Sequence, residues 1–510
     1  MRLKINVLPN QYNVQNSKGL PGMGALVAVV NKNDEDATST AVTMLNTLKM
    51  RKADAFGIAS PTTVKIESSI NTLQDRDLNS PIVIGHAFSK ILPTDTPQPV
   101  KLGDATFIFE GRIYPPAQKL SDAQATAEKL QQSPEEAIRK LTRKARGDFS
   151  LVLAEPEKII VGRDITGIRP LYYGENENFV ALASERKALW TIGIENASSF
   201  PPGRVACADG QGFEFDTVRT LAASKPRQIT MQAAAKTLRD LLERSTRERV
   251  VGLKEIAVAF SGGLDSSIIA FLAQKSSANV HLIHVSLRNE PETEQAKKTA
   301  EELELPIHVC LRDEKDVEKT FPKILQLVEE PDPVKMSIGV PFYWTAERTA
   351  EMGISVMLAG QGADELFGGY KRYADEYSRN GSEKVQQTMF ADVAASHEIN
   401  FERDLKICNF HNIELRLPFA TYQIAKFATN LPVELKIRLP DDGLRKLVLR
   451  KVAKDLRLPE SVVEKPKKAI QYATGVNRIL EKLARSEGMS IREYTQRKFD
   501  AIFRKKEQND

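Results

Sequence analysis

The sequence predicts two domains of different fold class, an α+β domain followed by an α/β domain. In the first part of the chain, short apolar runs typical of β-strands are separated by turn residues, which indicates antiparallel sheets. In the second part, strand-like apolar runs alternate with helical segments, which indicates a doubly wound parallel sheet with a helical C-terminal part. Residues 216–230 between them are polar, so we expect a linker there.

Local patterns predict the elements of the first domain, residues 23–215. The apolar run Ala25–Val30 predicts the first strand, and Thr38–Leu48 has the spacing of a helix with one apolar face. Further strands are expected at Ile82–Ile84, Thr106–Phe109, Ser150–Ala154, Ile159–Val161 and Phe179–Leu182. Residues 1–22 contain scattered Asn, Gln, Pro and Gly, which indicates an irregular N-terminal extension.

The second domain, residues 231–510, is expected to begin with a helix at Met231–Arg249. Buried strands are predicted at Ile256–Phe260, Val280–Val285, Ile307–Leu311 and Ser355–Ala359, with helices at Ser266–Gln274 and Glu294–Leu303. The remainder is mostly helical in pattern and rich in Lys, Arg and Glu. The last residues, from Arg504 onwards, are expected to form a frayed end.

Composition excludes several classes of protein. The 72 basic and 67 acidic side chains give a net charge of +5, too small an excess to indicate nucleic-acid binding. No apolar run approaches the ~20 residues of a membrane-spanning helix, and the N-terminus lacks the apolar core of a signal peptide. The three cysteines lack the C-x-x-C spacing of zinc or redox sites, so we expect reduced thiols and a cytoplasmic protein.

A phosphate-binding loop is the strongest functional signal. It lies between the predicted strand ending at Phe260 and the helix that follows, where a Gly pair permits a sharp turn and the helix N-terminus attracts an anion. The loop consists of Ser261, Gly262, Gly263, Leu264, Asp265, Ser266 and Ser267. Its order differs from the Walker A loop, which needs a Lys after its second Gly. A plain turn with Ser and Asp helix caps is the alternative, and the seven-residue order after a buried strand favours the anion site.

This loop resembles that of the ATP pyrophosphatase family, whose members split ATP between the α and β phosphates. Four later segments resemble asparagine synthetases and their β-lactam-forming relatives over about residues 230–480. The segments are Glu330-Pro331-Asp332, the eleven residues from Gly360 to Tyr370, the six from Glu414 to Phe419, and Lys465-Pro466-Lys467-Lys468. The second segment follows a predicted parallel strand, at the end where open α/β sheets bind ligands.

The resemblance implies ATP and Mg²⁺ as cofactors and assigns roles to particular residues. Asp265 and Asp364 match magnesium ligands, and Gly360 joins the loop in binding ATP. Lys467 matches a lysine that steadies the charged intermediate, since cations must offset the repulsion between two anions. Glu330 matches an acid that takes the proton released when ammonia attacks. A surface lysine and a helix-end acid are the alternatives for Lys467 and Glu330.

The first domain resembles the glutaminase domain of glutamine-dependent asparagine synthetases. That resemblance implies the N-terminal-nucleophile fold, an αββα sandwich. It is carried by segments that stand in the family's order at residues 24–29, 51–57, 85–89, 109–114, 162–164, 167–173 and 184–188. Arg51 stands where glutamine's carboxylate would bind, and Asp122 roughly matches the acid that binds its amine.

Two departures from the family pattern predict a glutaminase domain without hydrolytic activity. Met23 stands where the family has its nucleophilic Cys, and a thioether has no ionisable proton. Positions 21–25 contain no Cys, Ser or Thr that would replace it. Glu110 occupies the place of the oxyanion-hole Asn, where a carboxylate would repel the oxyanion.

The leading hypothesis is an asparagine synthetase that uses ammonia, forming β-aspartyl-AMP and then asparagine, AMP and pyrophosphate. One alternative is an enzyme like a β-lactam synthetase or peptide cyclase that adenylates another carboxylate. A second alternative is a non-catalytic nucleotide-binding regulator. The expected partners are small molecules, with no nucleic acid and no membrane, and either a homodimer or a separate glutaminase is compatible with the sequence.

Overall fold

The protein is represented by a computed structural model that describes residues 24–48, 53–73, 78–116, 119–276, 278–440, 444–466 and 470–504. The predicted extension 1–22 lies outside the described residues, as do Met23, Arg51 and Lys467.

Short strands make up most of the first domain. They are β1 (Ala25–Asn31), β2 (Ala55–Ala59), β3 (Val64–Glu67), β4 (Ile82–Phe88), β5 (Val100–Leu102), β6 (Ala105–Ile113), β7 (Gly147–Ala154), β8 (Ile159–Arg163), β9 (Tyr172–Glu175), β10 (Phe179–Ala183), β11 (Ser198–Ser199), β12 (Arg204–Asp209) and β13 (Gly212–Thr217). The helices are α1 (Thr38–Thr47), α2 (Asp122–Leu130), α3 (Pro134–Lys144) and α4 (Arg186–Thr191), with a 3-10 turn at Ile70–Thr72.

Two antiparallel sheets stack face to face between helices. One has the order β11-β9-β10-β1-β4-β2-β3 and the other β13-β12-β8-β7-β6-β5. Because side chains alternate along a strand, Leu26 and Ala28 of β1 face the second sheet, while Val27 and Val29 pack against α1 and α4. Helices α2 and α3 cover the outer face of the second sheet. This is the αββα sandwich that the resemblance implied.

The strands predicted in this domain are confirmed, and several are longer than their apolar runs. β4 continues to Phe88 through Gly85-His86, and β6 continues to Ile113 through Glu110. The pattern missed these ends because they carry polar residues. It also missed the β12–β13 hairpin, whose last strand ends at Thr217, two residues beyond position 215.

The second domain contains a parallel sheet and many helices. Its strands are β14 (Glu255–Ala259), β15 (Asn279–Leu287), β16 (Ile307–Arg312), β17 (Val356–Leu358) and β18 (Glu414–Arg416). Its helices are α5 (Met231–Val250), α6 (Leu264–Lys275), α7 (Glu292–Glu302), α8 (Glu314–Val328), α9 (Pro333–Glu351), α10 (Ala363–Phe367), α11 (Lys371–Ser396), α12 (Glu402–Phe410), α13 (Tyr422–Thr429), α14 (Leu447–Asp455), α15 (Glu460–Val463), α16 (Ile470–Ala473), α17 (Val476–Ser486) and α18 (Ile491–Phe503). Shorter turns lie at His397–Phe401 (π) and Val433–Leu435 (3-10).

The sheet order is β16-β15-β14-β17-β18, and all neighbouring strands are parallel. Helices α5, α6, α7 and α14 contribute to the apolar core on one face, and α8, α9, α12 and α17 to that on the other. The predicted doubly wound sheet is therefore confirmed. The strand order reverses between β14 and β17, so the loops after these two strands meet at a topological switch point. None of the described helices is long and apolar enough to cross a membrane.

Buried polar groups join the two domains. The Tyr172 hydroxyl donates to Glu402 of α12 at 2.6 Å, and the Arg163 guanidinium donates to the same carboxylate at 3.3 Å. Nearer the sheet, Arg112 of β6 donates to Glu414 of β18 at 2.9 Å. These five side chains are less than a tenth exposed, so the domains share a desolvated interface.

Candidate active site

A cleft of about 580 Å³ lies at the carboxyl ends of β14 and β17. The loop after β14 contributes Ser261, Asp265 and Ser266 to its wall, and the loop after β17 contributes Gly360 and Asp364. The predicted phosphate loop and the predicted magnesium ligands therefore line one cleft, at the position where open α/β sheets bind ligands.

The loop after β14 is held in shape by its own residues. Gly262 has a φ of +65°, and a Cβ there would lie 2.8 Å from Cα of Ala296, so a larger residue does not fit. Ser261 Oγ accepts from the Gly263 backbone N–H at 3.3 Å, and Ser266 Oγ donates to the Gly263 carbonyl at 3.2 Å. Helix α6 begins at Leu264, two residues earlier than predicted, which brings its N-terminus to the cleft wall.

Four members of the predicted loop site do not line the cleft: Gly262, Gly263, Leu264 and Ser267. Leu264 packs into the apolar core on one face of the parallel sheet. Ser267 is fully buried, and within the described residues its Oγ has no hydrogen-bond partner. Leu264 and Ser267 lie in the first turn of α6. Their side chains are buried in the protein interior, where they support the loop.

Lys446 joins the two predicted magnesium ligands. Its Nζ lies 2.6 Å from Oδ2 of Asp265 and 2.7 Å from Oδ1 of Asp364. Lys446 is 2% exposed and has a φ of +65° at the start of α14. Two carboxylates from different loops thus converge on one ammonium group.

The Asp265–Asp364 pair fits the binding of a nucleotide-bound magnesium ion. Magnesium in nucleotide sites commonly takes one or two protein carboxylates and completes its shell with phosphate oxygens and water. No group of three or more His, Cys, Asp or Glu side chains with metal-site geometry occurs in the described part of the chain. A magnesium ion here would therefore depend on oxygens from its nucleotide.

Two glycines let these groups approach one another. A Cβ on Gly360 would lie 3.0 Å from Cβ of Asp265, and one on Gly369 would lie 1.9 Å from Oδ1 of Asp364. The glycines of the Gly360–Tyr370 segment therefore leave room for the two carboxylates and for Lys446.

Glu365, next to Asp364, is a buried acid with hydrogen-bond partners. The Tyr370 hydroxyl donates to its Oε1 at 2.5 Å and the Asn400 amide at 2.8 Å. Burial raises the pKa of Glu365, with the neighbouring Asp364 charge adding to the shift. Glu365 therefore fixes the loop against α11 and the following turn.

Glu330 lies beside the cleft, between two cations, and does not line its wall. Arg186 of the first domain donates to its Oε1 at 2.6 Å, and Lys335 donates to its Oε2 at 2.5 Å. Asp332 and Lys335, from the same segment, do line the cleft. The predicted proton acceptor is therefore held by ion pairs at the domain boundary.

Lys467 lies outside the described residues, and the residues on either side of it contact the site. Lys465 donates to the Gly262 carbonyl at 3.2 Å. Ile470 and Thr474 line the cleft. The role of Lys467 remains a prediction.

In the first domain, a His–carboxylate pair lies next to Gly24. His86 Nε2 is 3.1 Å from Glu110 Oε2, and both side chains are buried. A Cβ on Gly24 would lie 2.4 Å from that same Glu110 oxygen. A cavity of about 50 Å³ borders these residues and Asp122. Burial raises the pKa of the Asp122 carboxyl to about 6, although the nearby Arg112 charge opposes the shift.

Arg112 connects this cavity to the second domain. Its guanidinium donates both Nη atoms to Asp95, at 2.6 and 2.7 Å, in a bidentate pair. On its other side it donates to Glu414, which also accepts from Arg416 at 2.6 Å. Burial alone would raise the pKa of Glu414, but these two guanidinium groups lower it well below its usual range.

Comparison with known proteins agrees with this geometry. The asparagine synthase family matches residues 237–384 and 374–508, and the glutamine amidotransferase domain matches residues 88–191. The chain belongs to the asparagine synthetase family.

Individual members of this family align over much of the chain. A putative glutamine-hydrolysing asparagine synthetase of Methanocaldococcus jannaschii is 27% identical over 92% of this chain and 96% of its own length. Asparagine synthetase B of Escherichia coli is 27% identical over 64% of this chain and 60% of its own length. The human asparagine synthetase is 24% identical over 65% of this chain and 64% of its own length. The last two alignments thus cover less than two thirds of each relative.

Sequence reasoning missed Lys446 and the interdomain partners Arg186 and Glu414 as parts of the site. Lys446 has no distinctive spacing in the sequence. Arg186 and Glu414 lie in segments whose sequence indicates only the family resemblance. The contacts of Arg186 and Glu414 arise from packing between elements far apart in the chain. The spacing of apolar residues in the sequence does not predict such packing.

Proposed function

We propose that this family member amidates aspartate with free ammonia at the expense of ATP. The β-carboxylate of aspartate attacks the α-phosphate, which gives β-aspartyl-AMP and pyrophosphate. Ammonia then attacks the acyl carbon, which gives asparagine and AMP. The observation that carries the proposal is that Asp265 and Asp364 line the cleft at the switch point and both contact Lys446.

Different residues at the cleft are proposed to bind the phosphates, to hold the magnesium ion and to supply positive charge. The N-terminus of α6 and the hydroxyls of Ser261 and Ser266 suit phosphate oxygens. We propose that Asp265 and Asp364 would hold the magnesium ion of MgATP, which would supply charge compensation. Lys446 adds a buried positive charge beside them, and Lys467 is proposed to add another near the reacting groups. This charge offsets the repulsion between a carboxylate and a polyphosphate.

Free ammonia, and not glutamine, is the proposed nitrogen source. The residue before Gly24 is Met23, which cannot form a thioester. Beside Gly24, the Glu110 carboxylate accepts from His86 where an oxyanion would need donors. Two independent features of the glutaminase chemistry are therefore missing.

Pyrophosphate release tests this proposal. Purified protein is given MgATP and aspartate with either ammonium chloride or glutamine, beside the variants Lys467→Ala and Lys482→Ala. Lys482 is a matched control because it is 66% exposed and pairs with Glu314 on the surface. We expect release with ammonium but not glutamine, lost in Lys467→Ala and kept in Lys482→Ala. Equal rates with glutamine would refute the nitrogen-source proposal.

A second candidate is an enzyme that adenylates a different carboxylate, as in the β-lactam-forming branch. One observation favours it: Val334 and Ile399 line the cleft while 59% and 46% exposed. Exposed apolar side chains at a cleft suit a substrate with an apolar part. Pyrophosphate release with larger carboxylic acids and none with aspartate would support this reading. AMP binding without release from any acid would support a regulator.

A further inference from the structure

Two histidines meet near the amino ends of the neighbouring strands β15 and β16. His281 Nδ1 lies 3.1 Å from His308 Nε2, and the ring centroids are 5.3 Å apart. Ile283 is opposite His308 in the register of these parallel strands, and side chains two residues apart share a face. Both imidazoles therefore extend from the same face of the sheet. Both are half-buried, so solvent reaches them.

This His pair lies apart from the candidate active site. The cleft wall includes Ile283, His284 and Val285, which follow His281 along β15 towards its carboxyl end. Neither His281 nor His308 lines the cleft. Strand β16 is the edge strand of the sheet and contributes no residue to the cleft wall. The proposed reaction therefore leaves the two imidazoles without a role.

The distance between the two nitrogen atoms suits a shared metal ion. In the hydrogen bond one ring donates and the other accepts, so a single proton lies between the two nitrogens. Zinc binds imidazole nitrogen at about 2.0–2.1 Å. Two such nitrogens are about 3.3 Å apart in tetrahedral geometry and about 2.9 Å apart in square-planar geometry. The observed separation of 3.1 Å lies between these values.

Only a small change in ring orientation is needed. In the hydrogen bond the two nitrogen atoms face each other, whereas a metal ion would lie off the line between them. The torsion about the Cβ–Cγ bond of histidine is broad, so the rings can turn at low cost. Burial, the neighbouring His281 and Arg348 lower the pKa of His308, which favours the neutral ring that binds metals.

The surroundings of the pair permit a cation. Arg348 of α9 is the guanidinium whose charge acts on His308, and it pairs with Glu351 at 3.0 Å, which offsets that charge. Burial raises the pKa of Cys310, two residues along β16 on the same face, so its side chain stays a thiol. Within the described ranges no third His, Cys, Asp or Glu completes a metal site. Water would supply the remaining ligands.

We propose that His281 and His308 together bind one divalent first-row transition-metal ion of the zinc class. Imidazole suits zinc, copper and nickel, whereas magnesium prefers oxygen ligands. The site thus differs in chemistry from the proposed magnesium position at Asp265 and Asp364. Because the ion joins the edge strand to its neighbour in the folded state alone, its binding stabilises the fold. This inference goes beyond the proposed function and does not depend on it.

Isothermal titration calorimetry with zinc chloride tests the site. The protein carries no polyhistidine tag, and excess magnesium chloride occupies carboxylate sites. We expect one zinc ion per chain in wild type and a Kd about tenfold or more higher in His281→Gln and in His308→Gln. Loss of even an outer partner of a metal ligand costs about 10- to 100-fold in affinity, and here a ligand itself is lost.

His397→Gln is the matched control for the titration. His397 lies 3.6 Å from the Glu398 carboxylate instead of a second imidazole, so this variant should bind zinc as wild type does. Equal zinc affinity in wild type and in all three variants would overturn the proposal.

Electron paramagnetic resonance with one equivalent of Cu²⁺ identifies the ligands without relying on a substitution. We expect the wild-type spectrum to show coupling to two imidazole nitrogens, since copper also takes imidazole ligands. In His281→Gln and His308→Gln the two-nitrogen signal should be lost. A wild-type spectrum with oxygen ligands alone would overturn the proposal, and so would a two-nitrogen signal that persists in both variants.

Discussion

Lys446 holds two carboxylates that the chain brings from separate loops. Asp265 follows β14 and Asp364 follows β17, and without a cation between them their charges would repel at close range. The lysine is buried, so its ammonium group acts in a medium where charge is poorly screened. Its position therefore sets the distance between the two acids that we propose to bind MgATP.

We predict that Lys446→Met lowers pyrophosphate release by about 100-fold or more, the scale seen when a preorganised charge is removed from an active site. Lys451→Met is the matched control because Lys451 lies on the same helix, α14, and pairs with Asp455 near the surface. Release is measured for both variants at saturating MgATP. Equal losses of pyrophosphate release in the two variants would mean that the loss comes from disturbing α14. It would then not come from removing the ion pairs of Lys446 with Asp265 and Asp364.

Gly369 keeps space for the same group of charges. An alanine Cβ there would lie 1.9 Å from Asp364 Oδ1 and 2.5 Å from Lys446 Cε, so both side chains must move. We predict that Gly369→Ala reduces pyrophosphate release by about 100-fold, because a displacement of about 1 Å at an active site has that effect. Gly210→Ala, whose Cβ would meet nothing closer than 3.8 Å, should retain full activity. A wild-type rate of pyrophosphate release in Gly369→Ala would show that activity does not depend on the position of Asp364.

Helix α4 docks the first domain onto the second through its N-terminus. The backbone N–H groups of Arg186 and Lys187 donate to Glu329 at 2.9 and 3.1 Å, so a carboxylate of the other domain caps this helix. Lys406 donates to the same carboxylate at 2.7 Å. Because Arg186 also holds Glu330, one short helix fixes the segment that leads into the cleft.

Glu329→Gln should lower the free energy of unfolding by about 3 kcal/mol, the lower end of the cost of breaking a buried ion pair. Lys406 is 1% exposed and would lose the charge that compensates it. Urea unfolding monitored by circular dichroism gives the difference. Glu351→Gln, which breaks the exposed pair with Arg348, should cost less than about 1 kcal/mol. A cost no larger than the control's would contradict the capping role of Glu329.

The existence of helices and strands was predicted more accurately than their first and last residues. Continuous apolar runs located β14 and β15, whose residues are mostly buried, and the partly buried edge strand β16. The sequence did not locate β9 or the β12–β13 hairpin, whose residues are partly polar and exposed. Nor did it place Leu264 and Ser267 in the core, since a loop motif does not show which side chains turn inward.

At the scale of the whole molecule, buried charged side chains connect the two domains. Glu402 is central: it accepts from Arg163, Tyr172 and Ser199 of the first domain. Burial alone would raise the pKa of Glu402, but Arg163, Arg186 and Lys406 lower it from 4.5 to about 2. The first domain is thus tied to the cleft-bearing domain by buried ion pairs.

The lowered pKa of Glu402 predicts a specific pH dependence. A carboxyl whose pKa falls on folding stabilises the protein above its unfolded pKa of 4.5, and this contribution is lost as the pH falls towards 2. The shift corresponds to about 3 kcal/mol. Glu402→Gln should therefore lower Tm at pH 7, and its deficit against wild type should shrink between pH 5 and pH 2. The exposed Glu301→Gln should track wild type throughout. A deficit that does not change with pH would contradict the charge-based account.

The candidate site could be predicted in part because its motifs follow strands of a recognisable sheet. Ser261, Asp265, Ser266, Gly360 and Asp364 line one cleft, because strand ends at a switch point meet, and their roles there stay predictions. Lys446 could not be predicted, because helix packing alone brings it to the loop. The position of Glu330 between Arg186 and Lys335 could not be predicted either, because Arg186 belongs to the other domain.

The measurement that tests the central claim most directly is the origin of the amide nitrogen. The protein is incubated with MgATP and aspartate and with either ¹⁵N-ammonium or glutamine labelled in its side-chain amide, and the products are identified by mass spectrometry. We predict labelled asparagine, AMP and pyrophosphate in equal amounts from ammonium, and none from glutamine. Labelled asparagine formed from glutamine as fast as from ammonium would contradict the account of an inactive glutaminase domain joined to an ammonia-using ligase.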